Sequence, residues 1–161
     1  MAMWRLTCLT NDDERSEFAH TIENASDAPV TYLMFKWQTD RNASGPLLGN
    51  QVAAAEADAG GADALVATGI WDGPTKHLGH LHCHVTTLQP GAGYDPHADS
   101  YDVAIALLEG TVETLGERVS APAAIFYPAG TLHGMRNPGE GRASYAVFEL
   151  HRRARPSTGP R

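Results

Sequence analysis

The stretch PHADSYDVAIALLEG, residues 96–110, decides how the rest of the chain is read. His97 and Asp99 stand two positions apart, immediately ahead of an apolar run, VAIALL. The run is short, contains β-branched residues and closes on a Glu109-Gly110 turn, so it reads as a strand rather than a buried helix. Alternate residues of a strand share a face, so a His-x-Asp pair entering one can deliver an imidazole and a carboxylate to the same interior.

Other short segments of the same kind lie on either side. HLHCHVTTL (80–88), TVETLG (111–116), AAIFY (123–127) and ASYAVFEL (143–150) are each bounded by turn residues such as QPGAG, APA, PAG and NPGEG. That rhythm predicts an antiparallel all-β sandwich or barrel over 65–151. Towards the N-terminus, residues 1–38 offer WRLTCL (4–9), a charged loop, and the segments EFAHTIEN and VTYLMFKW around the turn ASDAP, which read as strands with a hairpin. Residues 39–64 become small and polar, a long loop with a short helix over NQVAAAEADA. Residues 152–161 form a basic, Pro- and Gly-rich tail expected to be disordered. HTIENASDAPVTYLMFKW (20–37) also aligns without gaps on HGMRNPGEGRASYAVFEL (133–150), pairing His20 with His133, Asn24 with Asn137, Tyr32 with Tyr145 and Phe35 with Phe148. Either two hairpins share a pattern, or the first is a remnant of a second barrel.

Composition narrows the function classes. At 161 residues one domain is the expectation. A formal net charge of -7 argues against nucleic acid and anionic membrane surfaces, which call for clustered Lys and Arg. No apolar run reaches the roughly 18 residues of a spanning helix, and no leader with a cleavage site is read. With only Cys8 and Cys83, the expected compartment is reducing cytoplasm. The 8 histidines are the unusual feature for a small acidic protein.

Gly91, five residues, His97, Asp99 and Gly110, followed by Pro128, Gly130, His133 and Asn137 in PAGTLHGMRN, resemble the two motifs of the cupin superfamily. The resemblance covers about residues 80–150. It implies a cupin-type double-stranded β-helix, a jelly-roll barrel, here with an N-terminal strand extension. The chain departs from the family pattern at three positions: Asp99 replaces the second His of H-x-H, Val103 the Glu, and Pro122 the opening Gly of the second motif.

From these residues, the metal candidates are His97, Asp99 and His133, with Asp102 as a fourth ligand if a one-residue bulge turns it inward. Two imidazoles and a carboxylate suit Fe, Mn, Ni or Zn as a divalent ion with open coordination positions. The second histidine group lies in HLGHLHCH. If Leu88 points into the barrel, His84 and His82 follow by parity; otherwise they face solvent or a dimer partner. His82, His84 and Tyr94 are the acid–base candidates. Tyr101, Phe126, Met135 and Tyr145 are candidates for pocket wall or core, Trp71 for the barrel rim, and Cys83 for a small buried residue. The expected function is metal-dependent chemistry on a small-molecule ligand, of oxygenase or isomerase/lyase type, in a homodimer paired through N-terminal strands. The competing expectations are a metal-free cupin that binds a metabolite or sugar, and a metal-independent sugar epimerase using a His–Asp pair. His-x-Asp with a distant His is also similar to the iron and 2-oxoglutarate dioxygenase triad, for which Arg142 or Arg136 would hold the cosubstrate.

Overall fold

The computed structural model describes residues 4–8, 23–30, 32, 34, 51–55, 64–75 and 77–153. These residues form strands and no helix. β1 (Trp4–Cys8) and β2 (Gln51–Ala55) pair antiparallel in a sheet of their own. The helix expected over 50–59 is therefore a strand at 51–55: the Ala run has no apolar stripe to hold a helix, and the backbone partner Trp4–Cys8 supplies a ladder instead. The turn at 25–29 is closed by Asn24, whose Oδ1 accepts from the Ser26 N–H at 3.0 Å. The flanking hairpin segments, and most of the 20–37 echo, lie outside the described residues.

The barrel is built from nine strands. β3 (Leu65–Gly73), β4 (His80–Leu88), β6 (Asp102–Glu109), β9 (Ala123–Tyr127) and β11 (Ala143–His151) form one antiparallel sheet in the order β3-β4-β11-β6-β9. β5 (Gly93–His97), β7 (Thr111–Thr114), β8 (Glu117–Ser120) and β10 (His133–Arg136) form the other, in the order β5-β10-β7-β8. From β4 to β11 the chain passes back and forth between the two sheets, which is the winding of a double-stranded β-helix. The space between them is filled by Leu88, Ile105, Leu107, Tyr145 and Val147 from the larger sheet against Val112 and Met135 from the smaller.

The larger sheet is apolar on both faces, which explains the unbroken VAIALL. Val103, Ile105 and Leu107 point into the barrel, whereas Ala104 and Ala106 join Leu81, Cys83, Val85, Ala146, Phe148 and Trp71 on the opposite face. Trp71 is thus not at the rim. A bulge at Ile70, between the pairs Gly69↔His84 and Trp71↔Cys83, shifts the strand by one residue. It turns Trp71 outward into that second core and brings Asp72 opposite His82.

The turns carry the motif residues. Gly91, Gly110 and Gly130 all have positive φ, of 76°, 79° and 82°. At Gly110 a side chain would also collide with the backbone of Arg142 and Ala143, so a second reason excludes any other residue. Asn137 is fully buried and ties two turns together. Its Nδ2 donates to Leu88 O at 3.0 Å and Gly141 O at 2.8 Å, its Oδ1 accepts from Gly139 N at 2.9 Å, and its backbone exchanges bonds with Gly91 and Ala92. At the other end, Arg153 donates to the Thr75 and Leu78 carbonyls and Arg152 pairs with Asp102, so the first two residues of the tail expected to fray are tethered.

Asn137→Ala removes three side-chain bonds in a site without room for bulk water, and is expected to lower unfolding free energy by about 2–4 kcal/mol. Urea denaturation measures it; a loss below about 0.5 kcal/mol would mean that the turns hold without this residue.

Candidate metal centre

β5 and β10 pair antiparallel with His97 directly opposite His133. This register brings their rings to a centroid separation of 4.7 Å. Asp99 lies beyond the end of β5 rather than on the strand, in the link to β6. That link is pinned by the Gly130 N–H, which donates to the Asp99 carbonyl at 2.7 Å. The Asp99 carboxylate then stands between the imidazoles: its Oδ2 is 3.7 Å from His97 Nε2 and 3.6 Å from His133 Nε2.

Both tautomers follow from hydrogen bonds at the far nitrogen. His133 Nδ1 is 2.9 Å from Thr131 O and His97 Nδ1 is 3.2 Å from Asp95 O. A carbonyl oxygen only accepts, so each Nδ1 carries a proton and each ring turns its Nε2 towards Asp99. Such an outer bond from the second nitrogen is what orients a ligating imidazole. The Nε2–Oδ2 separations are too long for hydrogen bonds. They are close to the spacing of two donors on one ion: ligands each 2.0–2.2 Å away at a tetrahedral angle stand roughly 3.3–3.6 Å apart. The donor set therefore fits a divalent metal, and fits a directly hydrogen-bonded His–Asp pair poorly.

His133 is buried at 4% exposure and stacks on Tyr127, centroids 4.0 Å apart and 17° between planes. The Tyr127 hydroxyl is in turn bonded to Thr114 Oγ1 at 2.7 Å, so the ring that packs against His133 is itself fixed. The three donors open onto a cavity of about 280 Å³ between the sheets, walled by Ala67, Thr86, Ile105, Tyr145 and Val147, with Tyr94 at the His97 side. Burial, followed by the charge of neighbouring groups including Asp99, pushes the Tyr94 phenol well above its ordinary range, so it stays a neutral hydroxyl. Tyr101 also lines this cavity; burial and then its interactions with Glu149 and Asp99 raise it.

The remaining candidates separate. His84 lines the cavity as the Leu88 parity predicts, and burial, then the nearby His82, lowers its pKa. His82 lies on the same strand face, its Nδ1 2.8 Å from Asp72. Tyr145 and Tyr101 belong to the cavity, Met135 to the core, and Phe126 is 56% exposed and faces away. Asp102 is not brought to the triad. The ladder from Leu150↔Asp102 to Tyr145↔Leu107 runs without a bulge, so Val103 points inward and Asp102 does not. Its Oδ1 accepts from the Ala129 N–H at 2.9 Å and its Oδ2 from Arg152 at 2.8 Å. Glu149 and Asp72 were missed. Glu149 shares the inward parity of Tyr145 and Val147, which the sequence does display; Asp72 is displaced by the bulge, which it does not.

No family model and no curated protein matches the chain. Solved structures similar to part of it include the polyketide cyclase RemF from Streptomyces resistomycificus, at 22% identity over 44% of this chain and 54% of that one, TM-score 0.41. Another is a Cupin_2 domain of an XRE family transcriptional regulator from Enterobacter cloacae, at 16% identity over 56% of this chain and all of that one (100%), TM-score 0.48. A third is a sugar phosphate isomerase of the cupin superfamily from Silicibacter pomeroyi, at 18% identity over 44% of this chain and 50% of that one, TM-score 0.41. The matched region spans about half the length of the cyclase and of the isomerase. Strand order, alternation between two sheets and the glycine-marked turns of this chain define its fold as the cupin-type jelly roll. Among the described residues no helix is long and apolar enough to cross a membrane.

Burial alone would push the Asp102 carboxyl up, but the Ala129 N–H and Arg152 outweigh it and hold the group below its ordinary value. A depressed folded pKa stabilises the fold at neutral pH and loses that contribution as pH falls. Asp102→Asn is expected to cost about 1–2 kcal/mol at pH 7, with the gap to wild type closing below about pH 4 and metal content unchanged. Denaturation across pH, with elemental analysis, checks both parts.

Proposed function

We propose that the protein is a metal-dependent enzyme acting on a small molecule, of oxygenase or isomerase/lyase type, with His97, Asp99 and His133 as the ligands. The observation that carries this reading is the convergence of two Nε2 atoms on one Asp99 oxygen at distances that suit a shared ion. A divalent ion held by three protein donors supplies a Lewis acid with positions left for substrate.

The chain's own residues supply the remainder. The cavity of about 280 Å³ suits a metabolite-sized ligand, with Ala67, Ile105 and Val147 as apolar wall beside the polar donors. Tyr94, held neutral by burial beside Tyr145, is assigned as the hydrogen-bond donor to a substrate oxygen next to the triad. Tyr127 positions His133 by stacking. Tyr101 lines the cavity together with Asp99. His84, across the cavity, faces the substrate space from the larger sheet.

The test is metal content by elemental analysis of untagged protein equilibrated with Fe(II), Mn(II), Ni(II) or Zn(II) and desalted. His97→Ala and His133→Ala are each expected to hold one ion per chain fewer than wild type while keeping their fold. Variants that retain the full wild-type content, or a wild type that takes up none, would remove the reading in favour of a metal-free binding barrel. Tyr94→Phe is expected to keep its metal and to lower turnover roughly 100-fold on whichever substrate the oxygenase and isomerase assays return.

A further inference from the structure

A second donor set borders the same cavity, which His84 and Glu149 both line. On the inward face of the larger sheet, cross-strand pairing sets Asp72, His82 and Glu149 in a row across β3, β4 and β11. His84 follows His82 on the same face two residues along β4. Ligand atoms of His82, His84 and Glu149 all lie within 4.8 Å of one another.

Three features of this group go beyond proximity. Asp72 Oδ1 lies 2.8 Å from His82 Nδ1 and 2.8 Å from His80 Nε2. An ionised carboxylate only accepts, so His82 carries a proton on Nδ1 and keeps Nε2 as its ligating nitrogen, the carboxylate–histidine arrangement that orients metal-ligating imidazoles. His84 Nδ1 is buried and has no hydrogen-bond partner among the described residues. A buried nitrogen left unsatisfied destabilises the fold, and a bound ligand offsets that cost. Finally, the Ile70 bulge is what delivers Asp72 to His82; a regular strand would turn it to the other face.

We propose that His82, His84 and Glu149 form a second divalent-cation site, separate from His97, Asp99 and His133, with Asp72 as the residue that orients His82. Two imidazoles and one carboxylate select the borderline transition ions, of the Zn(II), Co(II) or Ni(II) class, over Ca(II) or Mg(II). Glu149 Oε2 also accepts from His151 Nε2 at 3.1 Å, so its carboxylate is held in place. Tyr101, Asp99 and Glu149 line the same cavity, so the two sets share one substrate space.

The experiment is calorimetric titration of the metal-free full-length chain with Zn(II), with elemental analysis after gel filtration. Wild type is expected to bind two ions per chain. His84→Ala and Glu149→Gln each remove one and keep the ion that His97→Ala loses; His84→Ala combined with His97→Ala binds none. Asp72 is two-thirds exposed, with 67% of its side-chain surface accessible, so Asp72→Asn tests the site without threatening the fold. It is expected to weaken one of the two ions by about 10–100-fold and leave the other unchanged. If only the triad fails to bind, one ion remains that depends on His84 and not on His97, and this proposal stands alone. A wild-type stoichiometry insensitive to His84→Ala and Glu149→Gln, a single ion lost in both His84→Ala and His97→Ala, or no uptake at all would overturn it.

Discussion

The pairing of β5 with β10, which sets His97 against His133, is the constraint on which the site depends. Two imidazoles from segments 36 positions apart in sequence numbering meet because a short ladder fixes their rows, and each ring is then locked by a backbone carbonyl two residues earlier in the chain. Asp99 joins them through the backbone: its carbonyl accepts from Gly130, at the positive-φ turn just ahead of His133. The same turn therefore sets the histidine and the aspartate together. Close backbone approach makes this possible, since a side chain at Gly93 would collide with Met135 and Arg136, and one at Gly134 would crowd Tyr94 and Pro96.

Where apolar burial dictates a strand, the sequence is easily read. HLHCHVTTL and AAIFY are strands with the bounds that their turn residues suggest, because β4 packs on both faces and β9 closes the sheet edge. β5, GYDPH, and β10, HGMR, carry no such signal. They hold Gly, Pro and charge rather than β-branched residues, and their strand geometry comes from pairing with each other. The metal candidates were legible through turn and motif residues flanking these strands, and not through strand propensity. Asp99 was expected to share a strand face with His97; it lies after β5, yet reaches the same interior because the link to β6 is pinned from the opposite turn.

The bulge in β3 shows what spacing alone leaves hidden. Reading LVATGIWDG with unbroken alternation puts Trp71 on the inward face with Leu65 and Ala67; one extra residue at Ile70 reverses every side chain beyond it. The large ring then contributes its burial, worth about 1.5–3 kcal/mol, to the outer core against Phe148, while Asp72 joins the histidines. Asp102 is the converse case. With no bulge between Asp102 and Leu107 it stays off the cavity, and its carboxylate anchors Ala129 and Arg152 instead.

The most direct measurement of the central claim is anomalous X-ray diffraction, at the metal absorption edge, from crystals of the full chain grown with Mn(II) or Zn(II). The account predicts a peak about 2.0–2.2 Å from His97 Nε2, His133 Nε2 and an Asp99 carboxylate oxygen together. A saturated crystal with no peak there, and with Asp99 bonded directly to either imidazole, would contradict it.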